Sequence, residues 1–269
     1  MIHALSFPVS NMLESCIHSY GIIEEPDGFS EAFVSPPLGF SGFIMCTEGN
    51  TDAFINGERF VHHKAVASGQ VTFPVTGTVT GKVKSIMVFF QPLGMYRLFG
   101  FDMSKLTNAS MDLHEFLGFE KAQVLLQKLK HADGNETIVA ILNQLFLVQL
   151  NETDDAADIK NVLDFIHLHS GNVSVKEIET HCYMHRKSIE RSFHTKVGLS
   201  PKTYAQIFRF KCLLGYLKQH PSITWLELAK ENGYFDQSHM IRYFKEYLKV
   251  SPLSLVTLDV DFINYLLKN

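Results

Sequence analysis

No run of eighteen apolar residues occurs in this chain, so nothing in it reads as a membrane-crossing helix. Its opening, MIHALSFPVSNMLES, has no basic stretch ahead of an apolar one. Secretion is therefore not expected, and a cytoplasmic location is. Cysteine is scarce. Cys16, Cys46, Cys182 and Cys212 form no CxxC pair, which argues against a disulfide framework and against a zinc site. Catalytic and metal-binding patterns are also missing. His62 and His63 are neighbours on a strand-like stretch, where successive side chains point to opposite faces. His167 and His169 are two apart on an expected helix and do not face each other. No local nucleophile signature surrounds any Ser, Cys or His. No catalytic residue, metal or cofactor is expected, and the chain does not read as an enzyme.

Acid is scarce in one half only. Residues 1–159 hold 9 Lys and Arg against 18 Asp and Glu, whereas residues 160–257 hold 14 against 8. The overall formal charge of −4 hides this asymmetry. A basic rear part is a candidate for contact with a polyanion. The length, 269 residues, suits two domains.

The front reads as β. The stretch FSGFIMCTEGNTDAFINGERF alternates apolar and polar residues, with turn signals at Gly49-Asn50 and Asn56-Gly57. KAVASG, QVTFPVTG and KSIMVFFQP read as further short strands, as in a small barrel or sandwich. After Pro92 the spacing becomes helical. Ile138, Ile141, Leu142, Leu145 and Phe146 form a stripe that suits a core or a dimer seam. The polar run NETDDAAD is either a linker or the acidic first turn of the next helix. The expected division is a β-rich domain with a helical extension over 1–150, a linker over 151–158, a helical domain over 159–258 and a tail over 259–269.

The rear part contains a repeat. SVKEIETHCYMHRKSIERSFHTKVGLSP and ITWLELAKENGYFDQSHMIRYFKEYLKVSP each show a short helix, a tight turn, a longer helix and a Ser-Pro. Arg191-Ser192-Phe193 aligns with Arg242-Tyr243-Phe244 at an offset of 51 residues. Ser174 with Glu177 forms a capping-box pattern. Gly198 suits a left-handed helix end, and Ser200-Pro201 opens a long helix. On the wheel of the second long helix, Met240, Phe244, Tyr247 and Leu248 share the core face. Ser238, Arg242 and Lys245 lie opposite, with His239 alongside and Gln237 in the first turn. Asp236 sits where a carboxylate caps free N–H groups. In the first copy, Arg186, Lys187, Glu190, Arg191 and His194 point outward. Gln, Arg and Ser groups on such a helix suit base edges and phosphates in a major groove. Glu190 suits either cytosine N4 or plain solvation.

Leu228, Ala229, Gly233, Tyr234, Asp236, Gln237, Ser238, His239, Arg242, Phe244, Lys245, Ser251 and Pro252 together resemble the AraC/XylS family of bacterial transcription regulators. The resemblance covers residues 160–257. It implies an α+β chain in which a small β-barrel or cupin-like domain precedes an all-α domain of two helix-turn-helix units joined by a long helix. It also implies two recognition helices in adjacent major-groove segments, roughly 34 Å apart on the duplex. The residues that would meet DNA are Arg186, Lys187, Glu190, Arg191, His194, Gln237, Ser238, His239, Arg242 and Lys245. The chain departs from the family pattern at Glu179, where Ala is usual, at Tyr183 and Lys249, where Gly is usual, and at His185, where Ser is usual. A left-handed residue other than Gly costs on the order of 1 kcal/mol. Residues 1–150 resemble, less closely, the family's sensing or dimerising domains. Candidate partners beyond double-stranded DNA are RNA polymerase, a small-molecule effector and a second copy of the chain. The Phe-rich front suits a barrel core or an apolar pocket. A cupin-like enzyme or carrier with a helical appendage is the alternative reading.

Overall fold

The computed structural model describes residues 4–61, 63–150 and 156–249. His62, the stretch 151–155 and everything from Val250 onward, including the second Ser-Pro and the expected tail, lie outside the described residues. Seven antiparallel strands form one sheet: β1 (Ala4–Phe7), β2 (Ile17–Ser35), β3 (Ser41–Ile55), β4 (Glu58–Arg59), β5 (Ala65–Ser68), β6 (Val75–Phe90) and β7 (Ser110–Asp112). Their order is β1-β2-β6-β3-β5-β7, with β4 paired to β3. The three central strands are long rather than short. Register shifts between Glu25 and Phe29 in β2, and between Cys46 and Asn50 in β3, mark irregularities that let such strands bend.

The Asn56-Gly57 signal is a hairpin turn, with φ of 51° and 85°. Gly49-Asn50 is not a chain reversal. It lies within β3, at a register shift opposite β6, and β6 pairs with β3 on both sides of that shift. QVTFPVTG is likewise not one strand: residues 69–74 are irregular and β6 begins at Val75.

Alternation along the strands gives the sheet two apolar faces. Tyr20, Ile22, Phe43, Ile86, Val88 and Phe90 pack against the helical extension. That extension comprises α1 (Gly94–Phe99), α2 (Leu113–Leu117), α3 (Phe119–Lys130) and α4 (Gly134–Gln149). Their neighbours Ile23, Met87, Val79 and Val83 face the other way and join a core shared with the rear helices. In the expected stripe on α4, Ile138, Leu142 and Phe146 are fully buried, whereas Ile141 and Leu145 are half-buried.

The rear part is helical throughout its described length: α5 (Ala157–Leu168), α6 (Val175–Cys182), α7 (Arg186–Val197), α8 (Pro201–Gln219), α9 (Trp225–Glu231) and α10 (Gln237–Leu248). Asp158, the last residue of that acidic run, stands in the first turn of α5. It accepts from Ser192 Oγ at 3.1 Å and from Lys196 Nζ at 3.2 Å, which ties α5 to α7. Ser174 and Glu177 form the expected capping box, Ser200 accepts from the Thr203 N–H at 3.0 Å, and Gly198 ends α7 with φ 89°. The architecture is α+β, an antiparallel sheet region followed by helices.

Candidate nucleic-acid interface

The second helix-turn-helix is built from α9 and α10. Thr224 and Glu227 cap α9 reciprocally. The chain then turns at Gly233, φ 69°, where a Cβ would meet Asn172 Nδ2 at 2.7 Å. Asp236 Oδ1 accepts from the His239 N–H at 2.7 Å, so this carboxylate caps α10. Met240, Tyr243, Phe244, Tyr247 and Leu248 are buried. Ser238, Arg242 and Lys245 are exposed, and Gln237 is half-buried. His239 is half-buried as well. Its ring centroid lies 5.6 Å from Tyr234 and 5.4 Å from Tyr243. Burial, with Arg242 and Arg209 nearby, holds its pKa below the ordinary value. Its Nδ1 is buried with no hydrogen-bond partner among the described residues. His239 therefore packs against the turn, while Ser238, Arg242 and Lys245 stand free of the core.

The first unit, α6 and α7, reaches the same shape by a different local route. Its turn passes through Tyr183, which is left-handed at φ 52° and 95% exposed. His185 precedes α7 but its side chain makes no cap bond. Instead Glu179, on α6, accepts from the Arg186 N–H at 2.7 Å. The departure at Glu179 supplies what the departure at His185 removes. Arg186 Nε donates to Glu190 Oε1 at 2.8 Å, one turn along the exposed face. Glu190 is thus half-buried and paired to Arg186. Arg186, Lys187, Arg191 and His194 are exposed, and Ile189, Phe193 and Val197 are buried. The starts of α6 and α9 differ by 50 residues and those of α7 and α10 by 51; α9 is one residue shorter than α6, and the second turn, residues 232–236, is two residues longer than the first, residues 183–185.

Helix α8 braces both units. Arg209 Nε donates to the Asn232 carbonyl at 2.9 Å, and its guanidinium lies 4.0 Å from the Tyr234 ring centroid. Gln206 Nε2 donates to Tyr243 Oη at 3.1 Å. Toward the first unit, Tyr204 stacks edge-on with Phe193. Tyr204 Oη and His167 Nε2 share a hydrogen bond of 2.8 Å. Burial pushes the Tyr204 phenol up and the His167 imidazole down to about 4, so near neutral pH the ring is uncharged and the phenol keeps its proton.

The same helix touches the sheet region. Gly39, at φ 80°, brings its Cα so close that a Cβ would sit 3.2 Å from Tyr204 Cε2. Lys211 Nζ lies 4.0 Å from the Phe40 ring centroid. Burial lowers the Lys211 pKa to about 8, and no carboxylate pairs with it among the described residues. Phe40 also lines an apolar cavity of about 150 Å³, together with Ile23, Phe33, Val79, Val83 and Met87. Its polar groups include the buried Ser41 hydroxyl, which has no hydrogen-bond partner among the described residues. The Phe-rich front therefore builds both core and cavity: Phe43 and Phe90 are fully buried, and Phe33, Phe40 and Phe89 face the cavity. Thr107 Oγ1 also donates to the Gly198 carbonyl at the end of α7. Sequence reasoning missed Lys211 and the capping role of Glu179. The signals were a lysine inside the apolar run FRFKCLL and a carboxylate at a position where the family has Ala. Among the described residues, no helix is long and apolar enough to cross a membrane, and no group of three metal-ligating side chains gathers.

A helix-turn-helix domain family matches residues 180–256. No curated protein matches the chain at a significant level. Among solved structures, an apo point variant of ToxT from Vibrio cholerae strain SCE256 is similar over 90% of this chain and 97% of its own, with 10% identity and a TM-score of 0.50. Wild-type ToxT from the same strain, bound to an unsaturated fatty acid, matches over 85% and 94% with 10% identity and a TM-score of 0.44. The AraC-like transcriptional activator CuxR matches over 81% and 87% with 14% identity and a TM-score of 0.31. The first likeness shows a common fold; the other two are too weak to carry an argument.

Proposed function

We propose that the chain, whose residues 180–256 match a helix-turn-helix domain family, is an AraC-type regulator and reads DNA with both α7 and α10. The observation that carries the reading is the exposed face of α10. Asp236 is used up as a cap, and Ser238, Arg242 and Lys245 are left exposed with no acid among them. On this reading Arg242 and Gln237 contact base edges, and Lys245 and Ser238 contact phosphate or base. His239 positions the helix through its packing. In the first unit Arg191, Lys187 and His194 lie toward the duplex, and the Glu190 carboxylate holds the Arg186 fork in place. Residues 151–158 join the two parts, and no catalytic role is assigned.

Selection of bound duplexes from a random pool, followed by footprinting, tests the reading. A motif with two half-elements about one helical turn apart is expected. Arg242→Ala is expected to weaken binding by about 1–3 kcal/mol and to relax preference at one base position. A uniform loss across sequences, with the salt slope lowered by about one unit, would make Arg242 a phosphate contact instead. Failure to enrich any sequence would sink the whole reading.

We further propose control by a small molecule at the sheet region. Phe40 lines an apolar cavity and carries over its ring the half-buried Lys211, which has no carboxylate partner among the described residues, a combination that suits an apolar ligand with an acidic group. About 150 Å³ takes up a benzene-sized guest without rearrangement.

A further inference from the structure

The turn that leads into α10 is pinned at two points. The Tyr234 N–H donates to the Ala229 carbonyl at 2.9 Å, and the Tyr234 ring is buried, 5.5 Å from the Tyr243 ring and against the Arg209 guanidinium. Two residues on, Asp236 is fixed as the cap of α10, with an extended backbone at φ −153° and ψ 175°. Phe235 lies between these anchors and faces outward, 92% exposed. A single exposed apolar side chain is ordinary on a protein surface, so its position decides what it can do. Of the large apolar and aromatic side chains among the described residues, Tyr183 and Phe235 are the most exposed, and they stand in the turns ahead of α7 and α10. Phe235 comes two residues before Gln237 and three before Ser238. These open α10, the end of a recognition helix that meets base edges. A ring carried there on a backbone already ordered loses little freedom on binding. The apolar group that a major groove offers is the thymine C5-methyl, which suits a phenylalanine ring and which the other three bases lack.

We propose that Phe235 is a specificity-determining contact of the second unit, its ring packing on the methyl group of a thymine in the half-element that α10 binds. The proposal rests on the DNA reading above and adds to it a base preference set by an apolar contact. Gln237 and Arg242 read hydrogen-bonding edges, and Phe235 reads a methyl group. The ring takes no part in the core of the free protein, so its role is confined to the complex.

The test uses the full chain and the duplex recovered by selection from a random pool. Each thymine is replaced in turn by uracil, which lacks only the methyl group. One replacement is expected to weaken wild-type binding about three- to tenfold, the effect of about one buried methyl-sized group. Phe235→Ala is expected to weaken binding to the thymine duplex by a similar factor and to bind the thymine and uracil duplexes equally. Its melting temperature is expected to match wild type. Phe235→Leu, which keeps an apolar side chain, is expected to keep most of the thymine preference. A Phe235→Ala variant that still prefers thymine as strongly as wild type overturns the proposal. So does a wild type indifferent to every uracil replacement. The two readings fail differently: a pool that enriches no sequence sinks the DNA reading and Phe235 with it, whereas an enriched motif without a methyl effect sinks the role of Phe235 alone.

Discussion

With His185 alone in front of it, the first N–H groups of α7 would have no side-chain acceptor. Glu179 reaches across the turn and accepts from Arg186, so two departures from the family pattern form one device. Glu179→Ala is expected to cost about 0.5–2 kcal/mol in urea denaturation. Adding His185→Ser is expected to recover part of that loss by capping from the usual position. If Glu179→Ala is silent, the cap contributes nothing. His167 offers a second check. Its folded value of about 4 lies below the ordinary 6.5. Within that window the unfolded chain holds a proton that the folded chain lacks, so stability falls as pH drops from about 6.5 toward 4 and levels off below. The loss is on the order of 1–3 kcal/mol. His167→Gln is expected to flatten that slope in acid denaturation curves; an unchanged slope would mean that the proton belongs elsewhere.

Local chemistry makes several elements legible in the sequence. The Asn56-Gly57 hairpin, the Ser174–Glu177 box, the Ser200-Pro201 start and the Asp236 cap each depend on residues within a few positions. Gly49-Asn50 carries a turn signal that the fold overrides, because its fate rests on β6, some thirty residues away along the ladder. The outward face of α10 is legible from periodicity, since its core partners Met240, Phe244, Tyr247 and Leu248 recur at helical steps. Lys211 is not, because only the packing of α8 on Phe40 reveals its burial. Within α8, Gly215 has no atom within 4 Å of a built Cβ. Glycine inside a helix costs about 0.5–1 kcal/mol relative to alanine. Gly215→Ala is therefore expected to raise the thermal midpoint, and a lowered midpoint would mean that α8 needs to bend there.

At the scale of the molecule, the sheet and the rear helices share one core. Ile23, Leu38, Val79 and Met87 from the front join Ile159, Tyr204, Phe210 and Phe244 from the rear. A guest in the cavity would press on Phe40, the ring that Lys211 lies over, and an acidic group reaching past that ring would meet the ammonium. Short alkyl and aryl carboxylates are expected to raise the melting temperature of the full chain, because a ligand that binds only the folded state stabilises it. Lys211→Met is expected to abolish the shift from the acids while sparing any shift from the matching alcohols. Equal loss of both would deny the ammonium its role.

Helix α8 also acts as a gauge. It touches Gly39 and Phe40 in its first half, locks to the turn before α10 through Arg209, and sets how far apart and at what rotation the two readers stand. Each residue of an α-helix advances about 1.5 Å and turns about 100°, so, on the proposed DNA reading, a small tilt or twist of α8 would change the phase at which α10 meets a duplex on which α7 has docked. The glycine that lets Tyr204 lie against the sheet would thus couple the shape of the sheet at Gly39 to the match between the two proposed readers and the helical repeat of DNA. On the proposed DNA reading, a shift of the sheet region at Gly39 would change which spacing of half-elements is bound without touching a DNA-facing side chain.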